Sequence, residues 1–318
     1  MINAALFHRS QHLGETDLVP VDSGSASQAQ WHRDGQACAF CGGTNRVPVW
    51  RLQQSPVIDL LLCQKCHAVS ASRLPTQDAL RAYYAQYYET DETSALENAV
   101  TFDAPERLAK HIARHVSLRG AKDVTILDFG GGDGSISFLI AQHLIEENAA
   151  SAEVTVVDYV AKPVSSVDPR ITVEVRPDLE SCRRGEFSVV LASAVLEHFV
   201  DPGVLLSDLL SRVKHQGGLF YARTPYMLPF MRAAKVLGFT IDFTFPGHIH
   251  DLGQRFWETY FATQATAFTV IRSRPSIVET TFRLHFLRTL AAYVVKSPWW
   301  LLRSGYPFVG GWEVLAKR

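Results

Sequence analysis

The chain has 318 residues, 47% of them hydrophobic and 20% charged, which is the composition of a folded globular protein and excludes a largely disordered one. Its formal net charge of −1 excludes a general attraction to nucleic acid, so binding of that kind would need a local basic patch. We expect a cytoplasmic protein with reduced cysteines, because residues 1–10 lack the pattern of a secretory signal and no segment has the roughly 18 uncharged apolar residues of a membrane span.

The chain begins with a polar extension and a cysteine-rich segment. Residues 1–35 are polar and aperiodic, which predicts a mobile extension. Residues 36–75 contain two C-x-x-C pairs with 21 residues between them. Each pair can form a tight turn, so that four thiolates converge on one tetrahedral ion. The spacing predicts a small zinc ribbon whose structural Zn(II) is bound by Cys38, Cys41, Cys63 and Cys66.

Three alternatives to structural zinc use the same residues: a redox-active C-x-x-C pair, an iron site and unliganded thiols. Two pairs at ribbon spacing favour zinc over all three. His32 and His67 lie nearby, but we do not expect either to replace a cysteine. Four thiolates fill the tetrahedron and leave no position for a catalytic water, so the predicted metal is structural.

Residues 76–118 are predicted to form a helical linker or cap. One helix is expected to begin at residues 76–80 and another at Pro105, since proline is favoured in a first turn. A tyrosine-rich run lies between them. Its rings could line a substrate cleft, although aromatic residues in helices more often belong to the core. The run contains Tyr83, Tyr84, Tyr87 and Tyr88.

Apolar strands alternate with helical segments through residues 119–318. This alternation predicts parallel βαβ units and a Rossmann-like, doubly wound α/β fold. Five strands are predicted first and two more complete the sheet: Val124–Asp128, Val154–Val160, Ile171–Val175, Val189–Ala192, Gly218–Ala222, Phe268–Ser273 and Gly311–Lys317. Met227–Phe239 resembles an inserted helix.

The first predicted strand runs directly into a glycine-rich turn, and a helix is predicted from Ser135. Glycines allow positive φ and leave no Cβ in the path of a ligand, while the start of a helix offers unpaired N–H groups. The G-x-G-x-G spacing departs from the G-x-G-x-x-G of dinucleotide-binding dehydrogenases, which disfavours an oxidoreductase. The turn predicts a site for a nucleotide-like ligand formed by Asp128, Gly130, Gly132 and Gly134.

Three further strand ends carry polar residues for the same pocket. Asp158 follows the second strand, where a carboxylate can accept both hydroxyls of a ribose. Asp178 follows the third strand, where it can receive an adenine amino group, and Ser193 follows the fourth. In a doubly wound sheet, ligands bind beyond the carboxyl ends of the strands. Taken singly, Asp158 could cap a turn and Asp178 could be an ordinary loop acid, but their order favours one nucleoside pocket.

These segments, together with Leu-Glu-His-Phe-Val-Asp-Pro at residues 196–202, resemble the successive motifs of class I S-adenosylmethionine-dependent methyltransferases. The resemblance covers roughly residues 100–318. It implies a seven-stranded sheet with an antiparallel last strand, and S-adenosylmethionine as the methyl donor. The ribbon and the tyrosine run before it are similar to the arrangement in zinc-ribbon methyltransferases that modify sugars, cell-surface saccharides or natural products, including sugar C-methyltransferases.

Two histidine segments are candidates for the chemistry. Methyl transfer needs alignment of the reacting atoms, and it needs a base only if the acceptor arrives protonated. His198 follows the fourth strand at the expected mouth of the pocket and is the candidate catalytic base, although it could simply order its loop. His248 and His250 would lie together on a strand, or they would precede a helix capped by Asp251. A metal site there lacks a third ligand in the sequence.

The segment from Arg272 to Arg303 carries six Lys or Arg residues and a single acid, Glu279, with apolar residues at helical spacing. The simpler interpretation is a helix packed on the sheet with a solvated basic face. The alternative is a basic and apolar face, over residues 282–303, that contacts a phosphorylated, nucleotide-linked or lipid-linked acceptor or the surface of a membrane.

The sequence thus predicts S-adenosylmethionine-dependent methyl transfer to a small-molecule or saccharide acceptor, and nucleic acid is not the expected partner. An RNA methyltransferase with a zinc-ribbon recognition module is one alternative. A non-catalytic S-adenosylmethionine-binding protein is the other. The sequence does not specify whether an oxygen, nitrogen or carbon atom is methylated.

Overall fold

The computed structural model describes residues 37–76, 78–80, 83, 105–116, 123–158, 166, 168–278, 286–302 and 306–318. The predicted extension lies outside the described residues, and so do His32, Tyr84, Tyr87 and Tyr88. The helix expected at residues 76–80 is described at 78–80, and the backbone N–H of Ala79 donates to the Thr76 hydroxyl at 3.2 Å. This contact is that of an N-terminal cap.

A small four-stranded antiparallel sheet carries the cysteine pairs. Its strands, in spatial order, are β1 (Arg46–Gln54), β2 (Val57–Cys63), β3 (Val69–Ala71) and β9 (His250–Asp251). In the last pair of strands, Val69 lies opposite Asp251 and Ser70 lies opposite His250. The ribbon sheet is therefore completed by a strand from the C-terminal half of the chain.

A seven-stranded sheet forms the centre of the molecule, in the order β10-β11-β8-β7-β4-β5-β6. Its strands are β4 (Asp123–Phe129), β5 (Ser151–Val157), β6 (Ile171–Arg176), β7 (Val189–Ser193), β8 (Leu219–Tyr226), β10 (Thr269–Pro275) and β11 (Gly310–Lys317). Strands β4 to β8 are parallel, and β11 is antiparallel to both of its neighbours. The predicted doubly wound α/β fold and its antiparallel last strand are confirmed.

Helices cover both faces of this sheet. They are α1 (Pro105–Ala113), α2 (Ser135–Glu146), α3 (Pro202–Arg212), α4 (Leu228–Val236), α5 (Gln254–Thr263), α6 (Phe286–Lys296) and α7 (Trp299–Leu302). One apolar cluster joins α1 and α2 to the sheet through Leu108 and Ile140, and another contains Trp257 of α5 and Trp312 of β11. Burial on both faces explains why the parallel strands read as continuous apolar runs.

Several boundaries differ from the predictions, and three of the differences have a clear local reason. Strand β5 begins at Ser151, three residues before the predicted start, because Ser151 pairs with Asp123 at the start of β4 and donates its hydroxyl to that carboxylate at 2.6 Å. Helix α5 begins only at Gln254, so Asp251 does not cap it. The basic segment from Arg272 is not one helix, because its first residues lie in β10.

Candidate active site and cysteine cluster

The strand order reverses between β4 and β7. From β4 the chain builds β5 and β6 on one side and then β7 and β8 on the other, so a crevice forms at the carboxyl ends of β4 and β7. The segments that follow these two strands touch. A Cβ built on Gly130 would lie 2.6 Å from Val195 Cγ2, and the rings of Phe129 and Phe199 are 5.6 Å apart. The predicted glycine turn and the segment that contains His198 thus lie against each other.

The glycine turn has the backbone conformation that its sequence requires. Gly130, Gly132 and Gly134 have φ values of 68°, 60° and 80°, in the left-handed region where a Cβ is disfavoured. The backbone N–H of Gly132 donates to Asp158 Oδ2 at 2.8 Å. The structure therefore brings Asp158 to the turn. Asp158 leaves the strand to make this bond, and β5 therefore ends at Val157.

Asp128 lies beneath the turn and is buried. Burial raises the pKa of its carboxyl to about 6, and the nearby Asp158 adds to the shift while Ser137 opposes it. Its Oδ2 has no hydrogen-bond partner among the described residues. A Cβ built on Gly131 would lie 2.4 Å from Asp128 Cγ, so Gly131 packs directly on this carboxyl. The sequence analysis did not single out Gly131, because its φ value is not the reason for the glycine.

Ser193 and Asp178 occupy different environments. Ser193 ends β7, next to β4, and its buried hydroxyl has no hydrogen-bond partner within the described part of the chain. Asp178 is exposed after β6, and its Oδ1 accepts the backbone N–H of Ser181 at 2.9 Å. Asp178 therefore caps a local turn, and no described contact brings it to the glycine turn.

His198 ends a short 3-10 turn, Leu196–His198, above the crevice. Its Nδ1 lies 2.6 Å from the carbonyl oxygen of Gly247. A carbonyl only accepts, so Nδ1 is the donor and the neutral ring carries its lone pair at Nε2. A Cβ built on Gly247 would lie 3.0 Å from the ring and hydroxyl of Tyr83, so this tyrosine of the aromatic run packs against the loop that orients His198.

Two residues lie beside His198: Glu197, which the sequence analysis did not assign to the site, and His248, which it named as a candidate for the chemistry. The rings of His198 and His248 are 5.0 Å apart. One ligand atom from each of the three residues lies within 4.8 Å of the others, and we call this group the Glu197–His198–His248 cluster. Glu197 is 1% exposed, and its Oε2 has no partner among the described residues.

Burial dominates the electrostatics of the cluster. It raises the pKa of the Glu197 carboxyl, and it lowers the pKa of His248 to about 3, with the nearby His198 as a second cause. His250 lies apart from His248. Its ring nitrogens lie 2.8 Å from the Ser70 hydroxyl and 2.8 Å from the Phe199 carbonyl. The H-x-H pattern could not separate these roles, because strand β9 begins only at His250.

The four predicted zinc ligands converge. Their sulfur atoms lie within 4.8 Å of one another, with 3.5 Å between those of Cys38 and Cys66 and 3.6 Å between those of Cys41 and Cys63. A tetrahedral zinc with Zn–S bonds of about 2.3 Å places its sulfurs about 3.8 Å apart, so the donor set fits the ion without rearrangement. No disulfide joins these cysteines. The hydrogen bond between Cys38 and Cys66 lowers the pKa of Cys38 to about 5 and raises that of Cys66.

Phe40, inside the first cysteine pair, connects the ribbon to the main sheet. Its ring packs edge-on against His250, with 5.2 Å between centroids, and against Phe256 of α5, with 4.7 Å. A Cβ built on Gly203 of α3 would lie 2.6 Å from the carbonyl oxygen of Ala39. The ribbon therefore shares the apolar core of the central domain, which the isolated C-x-x-C spacing could not indicate.

A family model for the methyltransferase domain matches residues 100–271, more than half of the chain. The chain belongs to this methyltransferase family. The strand order of its sheet is that of class I, and the methyltransferase uses S-adenosylmethionine as methyl donor. No curated protein matches it at a significant level. None of the helices in the described ranges is long and apolar enough to span a bilayer.

Several solved structures resemble the methyltransferase. The [4+2]-cyclase SpnF is 15% identical with a TM-score of 0.42, over 67% of this chain and 80% of the other. The plantazolicin methyltransferase BpumL, solved in complex with a monoazolic desmethylPZN analog and SAH, is 13% identical with a TM-score of 0.42, over 76% and 98% of the two chains. An Archaeoglobus fulgidus S-adenosylmethionine-dependent methyltransferase is 15% identical with a TM-score of 0.38, over 74% and 100%.

Proposed function

We propose that the chain transfers a methyl group from S-adenosylmethionine to a small-molecule or saccharide acceptor that binds between the glycine turn and the Glu197–His198–His248 cluster. The observation that carries the proposal is the packing of Gly130 on Val195, which brings the segments that follow β4 and β7 together at the point where the strand order reverses. One face of the crevice is built of glycine backbone, and the other carries side chains that can accept or donate a proton.

The cofactor residues follow from this crevice. We assign Gly130, Gly132 and Gly134 to the close approach of the cofactor, and Asp158 to the hydroxyls of its ribose. The left-handed glycines, the bond from Gly132 to Asp158 and the orphaned hydroxyl of Ser193 support the assignment. Asp128 would support the turn from below, and Asp178 would contribute at most by shaping the loop after β6, because its carboxylate caps a turn. S-adenosylmethionine supplies an electrophilic methyl group when it is bound.

His198 is the residue that we place at the acceptor. The Gly247 carbonyl holds Nδ1 and thereby orients the ring. The lone pair at Nε2 can then take a proton from the acceptor, provided that no metal ion occupies the Glu197–His198–His248 cluster. Tyr83, which packs on Gly247, would form part of the acceptor wall. His198→Asn should lower kcat by about 100-fold or more if the proton is removed here, with little change in cofactor affinity.

We assign structural zinc to Cys38, Cys41, Cys63 and Cys66, supported by the convergence of their sulfurs. The ribbon would hold the acceptor side of the crevice, because β3 pairs with β9 two residues after His248. Helix α6 and helix α7 suggest where a lipid-linked acceptor would approach. Residues 280–312 contain no acid, and Leu287, Trp300 and Leu301 are exposed. We propose a cytoplasmic enzyme that contacts an anionic membrane through this face.

The decisive experiment has two stages. Calorimetric titration with S-adenosylmethionine should show one site per chain, and Asp158→Ala should weaken it by about tenfold or more, in line with the loss of a hydrogen bond to a charged group. The matched control is Glu153→Ala, an exposed acid in β5, the strand that precedes Asp158. Incubation with nucleotide-sugars, lipid-linked saccharides and other hydroxylated metabolites, followed by mass spectrometry, should then reveal a methylated product. Absence of cofactor binding would refute the proposal.

A further inference from the structure

We propose that the Glu197–His198–His248 cluster is a binding site for a divalent first-row transition metal ion, which coordinates a hydroxyl oxygen of the acceptor. The inference rests on the proposed function and deepens it, because it assigns the methylated atom as oxygen. One carboxylate and two imidazoles form the donor set, with ligand atoms within 4.8 Å of one another. Metals that accept this set include zinc, manganese and iron, and three protein ligands leave positions open for a substrate.

The hydrogen bonds around the cluster are those of metal-binding histidines. A ligand histidine commonly donates its second ring N–H to a backbone carbonyl, which fixes the ring and the tautomer. His198 donates Nδ1–H to the Gly247 carbonyl, and His248 has a backbone hydrogen bond with Phe243. These bonds orient both rings, and one ligand atom of each residue lies within 4.8 Å of the other and of a Glu197 carboxylate oxygen.

Glu197 provides an independent observation. Its side chain is 1% exposed, and Oε2 has no hydrogen-bond partner among the described residues. A buried carboxylate oxygen without a partner is destabilising unless a proton or a cation neutralises the group. The main chain of this residue also joins the two loops of the cluster. Its carbonyl accepts the N–H of Ile249 at 2.9 Å, which ties the loop of Glu197 to the loop of His248.

The chemistry that follows is a substitution at carbon. The acceptor hydroxyl binds the cation, which lowers its pKa so that its proton passes to water. The oxygen then attacks the methyl carbon, a C–O bond forms, and the C–S bond breaks with its electron pair remaining on sulfur. The products are a methyl ether and S-adenosylhomocysteine. In this form of the site His198 is a ligand, since the lone pair that would accept a proton is bound to the metal.

The test is a titration of the full-length, zinc-loaded protein with Mn²⁺ followed by electron paramagnetic resonance. Thiolate sites disfavour Mn²⁺, so the cysteines of the ribbon will not contribute to the measured Mn²⁺ binding. We expect one bound Mn²⁺ per chain. Glu197→Gln and His248→Gln should each weaken Mn²⁺ binding. The loss should exceed the roughly 10- to 100-fold that follows removal of a residue hydrogen-bonded to a metal ligand. The control is His215→Gln, an exposed histidine that precedes β8 at the amino end of the strand, whereas the cluster lies beyond the carboxyl ends.

Glu197→Gln keeps the volume of the side chain and removes a buried charge, so its melting temperature should equal or exceed that of the wild type. Unchanged Mn²⁺ binding in this variant would overturn the inference, and so would the absence of a bound ion in the wild type. With an acceptor from the metabolite screen, chelation that leaves the ribbon zinc in place should abolish turnover, and Mn²⁺ should restore it. Turnover that persists without the ion would refute the metal site and leave the proposed function intact. Mn²⁺ binding without cofactor binding would support a metal site and refute the proposed function.

Discussion

Replacing Gly131 with alanine should destabilise the protein through a single overlap. A Cβ at this position would lie 2.4 Å from Cγ and 2.5 Å from Oδ2 of Asp128, about 1 Å closer than ordinary contact. The carboxyl is buried and cannot move away cheaply. Such overpacking costs about 1–3 kcal/mol, whereas the reduced freedom of the unfolded chain returns about 0.4–1 kcal/mol. The overlap therefore dominates, and the free energy of unfolding should fall by about 1–2 kcal/mol.

Gly131→Ala should no longer lower the free energy of unfolding when the Asp128 carboxyl is absent. In an Asp128→Ala background the overlapping atoms are gone, so Gly131→Ala should be neutral or should stabilise by the chain-entropy contribution alone. The coupling free energy of the double-mutant cycle then equals the overlap, about 1–3 kcal/mol. Urea unfolding of all four proteins without cofactor measures it. If Gly131→Ala has the same effect in both backgrounds, the packing that we describe beneath the turn is wrong.

Three further predictions concern the metal, the pH dependence and the surface. Cys63→Ser should reduce bound zinc by one ion per chain in metal analysis and lower the melting temperature. Cys182→Ser, at a buried cysteine outside the cluster, should retain the ion. Burial raises the pKa of Asp251 to about 7, so the folded protein holds this proton after the unfolded chain has lost it. Stability should therefore fall as pH rises from about 4 to 7, by at most about 4 kcal/mol, and urea unfolding of Asp251→Asn should lack that slope. Leu301→Ser should weaken sedimentation with anionic vesicles by about tenfold, but Val236→Ser should not, although both side chains are 87% exposed; equal loss would refute the membrane face.

The sequence predicted what depends on local pattern. The strands of the central sheet were predictable from their apolar residues, which are largely buried in β4, β5, β7, β8 and β11. The glycine turn was predictable because positive φ favours glycine. The cysteine cluster was predictable because its spacing alone brings four thiolates together.

Residues paired over long distances were not predictable in this way. His248 joins His198 through a chain separation that no periodicity reports, and Asp251 proves to accept the backbone N–H groups of Met227 and Leu228 at the start of α4 rather than to cap its own helix. Gly131 was missed because the reason for the glycine is the buried carboxyl below it. Such contacts depend on tertiary packing, which the local sequence does not encode.

The pairing of β3 with β9 also constrains how the chain can fold. The ribbon sheet takes its fourth strand from residues about 180 positions later, since Ser70 pairs with His250. The cysteine segment therefore cannot reach its final structure while the chain is being synthesised, until residues beyond β9 have emerged from the ribosome. Contacts of such high sequence separation form late and slow folding. A ribbon excised for transfer to another enzyme would expose an unpaired β3 edge, so engineering should treat residues 37–76 and β9 as one unit.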